Sequence, residues 1–588
     1  MPPRPAPAPH PPLATGVSLA TRASLGAQVR GVGDLTTGTV RAAMALTRSG
    51  VVRPMGVGRL WSVGRALARY GNSVTSAVAV GAAREPDRLA VVDDDGELSY
   101  AELETSTDRL ARALVARGVG PGAPVGLLCR NGRAPLMVMC AAGKIGADVV
   151  LLNTGLSPVQ MVGVHAQQRL HTVVADADLV VLLDALLGQA GAPTVVVTEG
   201  ESPESPESPE SLGGLVGLVA SAGSSSVTAA VDLPFKPPHS RMIVLTSGTT
   251  GTPKGAKRPH PPTLAPAASI LSAIPLRFGD VVHIAAPLFH TWGNAALLLA
   301  ALHGSTIVLS RSFDPESFLT LVERHRASTV IAVPVMLQRV VEHQQRAGLE
   351  PGWVGTFRPR IVAVSGSALP SGFATAFMDG FGDCLYNLYG STEVSWVSIA
   401  GPGDLRDAPG TAGRAPTGTT LVILGDDDQP VPTGMEGRVF VGNDLPFDGY
   451  TGTEATVERR AGLLGTGDTG HLDALGRLHL TGRSDDLIVS GGENVHPGPV
   501  EELICASPAV REVVVLGVPN QQFGQRLVAW VVRSDIPTGQ ALTADDVRDL
   551  VKNRLARFAV PRDVHFLDVL PRNPTGKVLR TALPGWTP

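Results

Sequence analysis

Lysine is nearly absent from this chain. Six residues, Lys144, Lys236, Lys254, Lys257, Lys552 and Lys577, are all it has among 49 basic side chains. Arginine therefore serves as the general surface cation, and each lysine has a narrower reason to be where it is. Aromatic residues make up 4% of the chain, and the four cysteines, Cys129, Cys140, Cys384 and Cys505, lie far apart. They show neither metal-site spacing nor a disulfide framework, which favours a reducing, cytoplasmic setting. No apolar run reaches the roughly 20 residues of a transmembrane helix. A formal net charge of -4 gives no reason to expect a nucleic-acid partner. Acids are missing from one long stretch. Between Thr15 and Arg84 the charge is almost all arginine (Arg22, Arg30, Arg41, Arg48, Arg53, Arg59, Arg65, Arg69), with Asp34 the lone acid.

What is present is a large globular chain. Its 588 residues, 44% of them hydrophobic, exceed what one core usually holds and imply several folding units. Met1 to Leu13 is proline-rich and should be extended. Within residues 54–70, Val57, Leu60, Trp61, Val63, Gly64 and Leu67 fall near helical spacing, with Arg59, Arg65 and Arg69 among them. A basic amphipathic helix of this kind can lie on an anionic membrane face. A helix packed on the main body fits the same pattern, and a transit peptide fits the poverty in acids. Glu201 to Ser211 repeats Glu-Ser-Pro three times, cannot bury apolar area, and reads as a solvated loop.

From about Ala83 onward, buried strands and helices alternate. The pattern predicts a helix from Leu98 to Arg117, a strand at Val125–Cys129, a helix at Pro135–Ile145 and a strand at Asp148–Leu152. The same rhythm continues through Thr172–Ala175, Thr306–Ser310, Thr329–Val333, Arg360–Ser365 and the helix Ser371–Phe381. Such alternation argues an α/β fold with mostly parallel sheet. From Val422 the texture turns to short strands and turns, a β-rich subdomain. Leu487 to Pro584 then reads as a small α+β unit.

Three stretches carry chemistry. Ile243 to Leu245 is strand-like and runs into Thr246-Ser-Gly-Thr-Thr-Gly-Thr252, followed by Pro253 and Lys254. Glycines allow backbone N–H groups to approach an anion, hydroxyls add donors and a lysine adds charge, which is the chemistry of a polyphosphate cradle. It is not a Walker A loop, because Gly255 follows the lysine in place of Ser or Thr. Tyr389-Gly-Ser-Thr-Glu393 offers a ring, hydroxyls and a carboxylate, read here as one tight turn. Gly467-Asp468-Thr-Gly470 sets a carboxylate between glycines.

In this order, and together with Thr481-Gly-Arg483, Ser490-Gly-Gly-Glu-Asn494 and Pro574-Thr-Gly-Lys577, these motifs resemble the acyl-adenylate-forming superfamily of acyl-CoA synthetases, adenylation domains and luciferases. The resemblance covers about residues 83–580. It implies a large N-terminal adenylation domain of two α/β sheet subdomains plus the β-rich one, then a small mobile C-terminal domain. On this chain the implied division is an extension at 1–82, an AMP-binding domain at 83–483 and a mobile domain at 484–588, hinged at Asp485. The resemblance further implies that Thr246, Ser247, Gly248, Thr249, Thr250 and Lys254 grip the β- and γ-phosphates of ATP. Tyr389 would stack on adenine, with Gly366, Ser367 and Ala368 on the other side of the ring. Thr392 would meet the α-phosphate, Glu393 would hold Mg²⁺, and Asp468 and Arg483 would bind the ribose. His290 matches the histidine at the acyl-pocket entrance. Gly491 and Gly492 would line the path of the coenzyme A arm in a second pose. Lys577 would stabilise the carboxylate and the departing pyrophosphate in the first.

The expected activity is an ATP-dependent acyl-CoA synthetase acting on a fatty acid, with ATP, Mg²⁺ and coenzyme A. The form Ser490-Gly-Gly-Glu-Asn-Val-His-Pro497 and the lack of a carrier domain after Lys577 favour it over a peptide-synthetase module. An aromatic-acid CoA ligase carries the same motifs, and a fatty acyl-AMP ligase serving a carrier protein is the third option. A non-enzymatic scaffold is disfavoured by the joint presence of Lys254, Glu393, Asp468, Arg483 and Lys577.

Overall fold

The computed structural model describes residues 35–189, 191–198, 231–246, 253–258, 261, 263–369, 371–445, 447–451, 457–483, 486–490, 493–520, 524–573 and 576–586. Its first helices are α1 (Leu35–Arg48), α2 (Val57–Tyr70) and α3 (Val74–Arg84), followed by a hairpin of β1 (Leu89–Asp93) and β2 (Gly96–Ser99). Next come α4 (Tyr100–Ala116), β3 (Pro124–Leu128), α5 (Arg133–Ile145), β4 (Asp148–Leu151), α6 (Pro158–Gln168), β5 (Thr172–Ala175), β6 (Thr194–Val197), β7 (Met242–Thr246) and β8 (Lys254–Arg258). The chain continues through α7 (Ala265–Leu271), β9 (Val281–Ile284), α8 (Thr291–Leu302), β10 (Thr306–Val308), α9 (Pro315–His325), β11 (Thr329–Ala332), α10 (Pro334–Arg346) and β12 (Ile361–Val364). α11 (Ser371–Phe381), β13 (Leu385–Ser391) and β14 (Ser395–Ala400) follow. A short-stranded stretch holds β15 (Thr420–Leu424), β16 (Gly437–Gly442), β17 (Tyr450–Thr451), β18 (Arg459–Arg460), β19 (Leu463–Leu472) and β20 (Leu478–Arg483). The last unit contains β21 (Ile488–Ser490), β22 (Glu493–Val495), α12 (Pro497–Cys505), β23 (Val510–Asn520), β24 (Gly524–Arg533), α13 (Ala544–Lys552) and β25 (Asp563–Leu567).

Two mainly parallel sheets form the large body. One has eight strands in the order β14-β13-β12-β11-β9-β10-β1-β2, the other seven in the order β17-β8-β7-β4-β3-β5-β6. Their central strands are buried along their whole length, as in β5, β11 and β12. This is why they read as unbroken apolar, β-branched runs. Leu110 and Leu114 of α4, Leu136 and Cys140 of α5 and Leu297 of α8 share one core with Val125 and Val362 of the two sheets. α4 opens with a reciprocal Ser99–Glu102 capping box, and α5 ends at Gly146 in the left-handed conformation, as helix termini require. One scarce lysine finds its reason here. Lys144 on α5 is fully buried and reaches Glu104 at 2.9 Å and Asp108 at 2.6 Å on α4, so it clamps two core helices.

β15, β16, β18, β19 and β20 make an antiparallel third sheet. β17, from the same stretch of chain, leaves it and pairs instead with β8. The small unit is a sheet ordered β22-β21-β24-β23 with β25 parallel to β24, packed with α12 and α13 around Val515, Ala529 and Val531.

Two sequence expectations are corrected. Tyr389 to Glu393 is not one turn: Tyr389 to Ser391 end β13, and the chain turns back at Thr392 into β14 with a register shift at Tyr389/Gly390. Packing also begins before Ala83, since Val74, Ala77, Val78 and Val80 of α3 are buried. The segment after the threonine-rich loop is strand β8, held by β7 on one side and β17 on the other. The Glu-Ser-Pro repeat lies outside the described residues.

Candidate active site

β7 and β8 form an antiparallel pair in which Thr246 faces Lys254. The two ends of the threonine-rich loop are thus a cross-strand pair, and Ser247, Gly248, Thr249 and Thr250 between them lie outside the described residues. Lys254 Nζ sits 5.6 Å from the centroid of the Tyr450 ring. Tyr450 reaches that place because β17 pairs with β8, Tyr450 opposite Ala256. Its hydroxyl then donates to Glu393 Oε1 at 2.8 Å, while Ser391 Oγ donates to Glu393 Oε2 at 2.9 Å. The carboxylate is oriented by two hydroxyls from two different sheets.

The β13–β14 reversal fixes the rest of that motif. A Cβ on Gly390 would lie 1.8 Å from the Ser395 carbonyl oxygen, so only glycine allows the two strands to approach. Ser395 itself has a φ of 65°. This bulged hairpin presents Tyr389, Thr392 and Glu393 to a common cavity. Thr392 Oγ1 lies 3.2 Å from Thr291 Oγ1 at the first turn of α8.

Asp468 and Arg483 are brought together by strand register. They face each other across β19 and β20, and Arg483 Nη1 donates to Asp468 Oδ1 at 3.1 Å. The Tyr389 hydroxyl donates to Asp468 Oδ2. Burial pushes the Asp468 carboxyl above its usual range, against the pull of Tyr389 and Arg483. Burial and the adjoining Asp468 drive the Tyr389 phenol well above its ordinary value. At neutral pH the phenol stays a donor, and its ring is presented to the cavity by the end of β13.

His290 precedes α8 as its N-cap residue. Its Nε2 is sealed from solvent and has no hydrogen-bond partner among the described residues. Burial, with a smaller contribution from Lys577, pushes its pKa down to about 3, so the ring is neutral at pH 7. Lys577 arrives from the small unit. It is open to the cavity's solvent, yet protein surrounds it on most sides. That burial and the Arg483 charge lower its pKa, while Glu393 and Asp468 hold it up. Arg572 Nη2 pairs with Glu512 at 2.6 Å and donates through Nη1 to the Gly576 carbonyl at the same turn. Gly576, at φ 82°, packs against Val335 of α10 in the large body.

A cavity of about 2410 Å³ joins these groups, lined by Gly366, Ser367, Ala368, Tyr389, Thr392, Glu393, His290, Asp468, Arg483 and Lys577. Lys254 is not part of that lining and meets it through Tyr450 and Glu393. Asp485, Gly491 and Gly492 lie outside the described residues. Sequence reasoning missed Tyr450, Ser391 and Thr291. Only the scarcity of tyrosine, five in the whole chain, could have singled out Tyr450; Ser391 lies inside the Tyr389–Glu393 stretch and Thr291 next to His290, but nothing local names their partners.

A family model described as AMP-binding enzyme matches residues 78–451, and one described as AMP-binding enzyme C-terminal domain matches residues 499–577. A feruloyl-CoA synthase of an Amycolatopsis species is 31% identical over 503 residues, 84% of this chain and 95% of the relative. A long-chain-fatty-acid–CoA ligase of Mycobacterium tuberculosis is 29% identical over 507 residues, 83% of this chain and 93% of the relative. The o-succinylbenzoate CoA synthetase of Bacillus subtilis, solved with its acyl-adenylate intermediate, superposes with a TM-score of 0.72 at 25% identity, over 87% of this chain and 98% of that one.

Proposed function

This chain belongs to the AMP-binding enzyme family, and from that premise we propose that it is an acid–thiol ligase that makes acyl-CoA from a long aliphatic carboxylic acid. The observation that carries the reading is Lys577, delivered by the small domain into the cavity that holds Asp468, Arg483, Glu393 and His290. A carboxylate is a poor acyl donor. In the first step its oxygen bonds to the α-phosphorus of ATP and the bond to the β-phosphate bridge breaks, giving acyl-AMP and pyrophosphate. In the second, the thiolate sulfur of coenzyme A bonds to the acyl carbon and AMP leaves. Lys577, a compact cation on a flexible stem, offsets charge on the carboxylate and the leaving group. Thr246, Ser247, Gly248, Thr249 and Thr250, with Lys254, take the β- and γ-phosphates, and Thr392 the α-phosphate. Tyr389 stacks on the adenine, with Gly366, Ser367 and Ala368 on the ring's other side. The Asp468–Arg483 pair offers an acceptor and donors to the ribose.

Glu393 fits Mg²⁺. Two hydroxyls fix its carboxylate, and among the described residues no cluster of three or more metal-binding side chains accompanies it. One carboxylate suits an ion that keeps water and substrate phosphate oxygens as its other ligands. When bound, that ion neutralises phosphate charge.

The small domain, 484–588, is proposed to turn about Asp485 between the steps, withdrawing Lys577 and bringing Gly491 and Gly492 to the coenzyme A path. The exposed Val57 and Trp61 of α2, beside Arg59 and Arg65, support peripheral contact with an anionic bilayer, which sedimentation with anionic against neutral vesicles tests. No helix among the described residues is long and apolar enough to cross a membrane. The kinship with feruloyl-CoA synthase supports an aromatic acid as the second reading. A pyrophosphate-release screen over acids of graded length and aromaticity, with and without coenzyme A, decides. Release favoured by long acids, with thioester formed only when coenzyme A is present, supports the proposal. Release with ring acids alone, or acyl-AMP that never becomes thioester, overturns it.

A further inference from the structure

The family match begins at residue 78, so α1, α2 and the first turn of α3 precede it. Part of this preceding segment is nevertheless built into the cavity. The lining of the cavity that holds His290 also includes residues of α8, α3 and α2; α8 packs on α3, and α2 and α3, joined by Gly71 to Ser73, pack side by side. α8 lines it with Leu298 and Leu302, α3 with Val80, and α2 with Leu60, Val63 and Leu67. The three α2 positions follow the i, i+3, i+7 spacing of a single helical stripe. From Thr291 to Leu302, α8 runs for about 16 Å. The Arg84 guanidinium at the end of α3, also in the lining, donates to the carbonyls of Val51 and Gly50.

The stripe is open. Leu60 is 57% exposed and Leu67 38%, and nothing in the described chain covers them on the cavity side. An acid whose apolar part is one ring would occupy the space next to His290 and leave α2 untouched. A long flexible tail, anchored by its carboxylate near His290 and Lys577, would run over the lining residues of α8 and α3 and end against α2. We propose that α2 is the distal wall of the acyl site and selects for the tail of a long aliphatic carboxylate through Leu60, Val63 and Leu67. This inference deepens the acyl-CoA ligase reading and rests on it.

The test is pyrophosphate release by the full-length enzyme with saturated acids from hexanoate to hexadecanoate, and with ferulate. Replacing Leu60→Ser, Val63→Ser and Leu67→Ser together removes apolar contact for long tails only. KM for hexadecanoate should rise by about tenfold or more, given what each buried methylene contributes, while hexanoate changes by less than about twofold. Val63→Trp fills the wall instead and should move the preferred length to shorter acids. Loss of the same size on short and long acids in both variants would assign α2 to packing and overturn the proposal. A wild-type preference for long acids that survives both variants unchanged overturns the role of α2 alone. A wild-type enzyme that turns over only ferulate overturns the aliphatic reading and this inference with it.

Discussion

Gly576→Ala is expected to impair acid activation while sparing thioester formation, because it acts at a contact made between the two domains. Gly576 has a φ of 82°, and any residue with a Cβ pays about 1–2 kcal/mol there. That cost is local and is present in every pose. A Cβ at this position would also lie 2.7 Å from Val335 Cγ1. Val335 is β-branched and sits in the first turn of α10, where its χ1 has little freedom to turn away. Forced contacts of this kind cost about 1–3 kcal/mol, and here only when Lys577 stands in the cavity. The pose-specific part alone corresponds to a fall of about tenfold to a hundredfold in the adenylation rate. Single-turnover pyrophosphate release measures that step, and thioester formation from supplied acyl-AMP measures the other. Val335→Ala removes the clashing methyl, so the double variant should recover most of the lost adenylation although it keeps the strained alanine. Equal losses in both half-reactions, or no recovery in the double variant, would refute the argument.

Lys577→Ala should lower adenylation by about 10²–10³ and leave thioester formation from acyl-AMP near the wild-type rate, read by the same two assays. Asp468→Ala removes the acceptor shared by the Tyr389 hydroxyl and the Arg483 guanidinium, and KM for ATP should rise about tenfold, as expected for loss of hydrogen bonds to a charged group. Glu501 accepts from the Val515 N–H at 2.7 Å, and burial raises its pKa from 4.5 to about 7. A carboxyl raised on folding contributes stability that is full below pH 4.5 and lost as pH rises through about 7, here about 3 kcal/mol. Glu501→Gln keeps the acceptor and cannot ionise. Calorimetry should find its Tm above wild type at pH 8 and level with it near pH 4.5, and a gap that does not change with pH removes Glu501 as the cause.

The parts of the fold legible in the sequence are strands buried on both faces and a helix whose apolar residues recur at helical spacing. The strands at Thr172–Ala175, Thr329–Ala332 and Ile361–Val364 and the helix at Ser371–Phe381 lie within a residue or so of where the apolar runs put them. β8 was not legible, because Lys-Gly-Ala-Lys-Arg has no strand composition and owes its conformation to β7 and β17. The hairpin at Tyr389 was hidden for a related reason. Asn387, Gly390 and Ser391 look like turn residues until the approach of Ser395 shows why glycine is needed in a strand. At the site, motif order was readable and pairing was not. Nothing within Gly467–Gly470 says that Asp468 stands opposite Arg483, and nothing near Tyr450 says that it will cross to another sheet and hold Glu393.

Arg483 is the last residue of β20, and the proposed hinge is two residues further on. Its strand is tied by register to Asp468, so the chain leaves the large domain from a clamped point beside the proposed nucleotide site. On the proposed alternation, that point is a fulcrum and the small domain is a lever arm. A rotation that barely stirs Asp468 and Arg483 sweeps Lys577, at the far end of the arm, through the largest displacement. Nucleotide can then stay held while the catalytic cation leaves, and an enzyme so built need not release its intermediate to change tools.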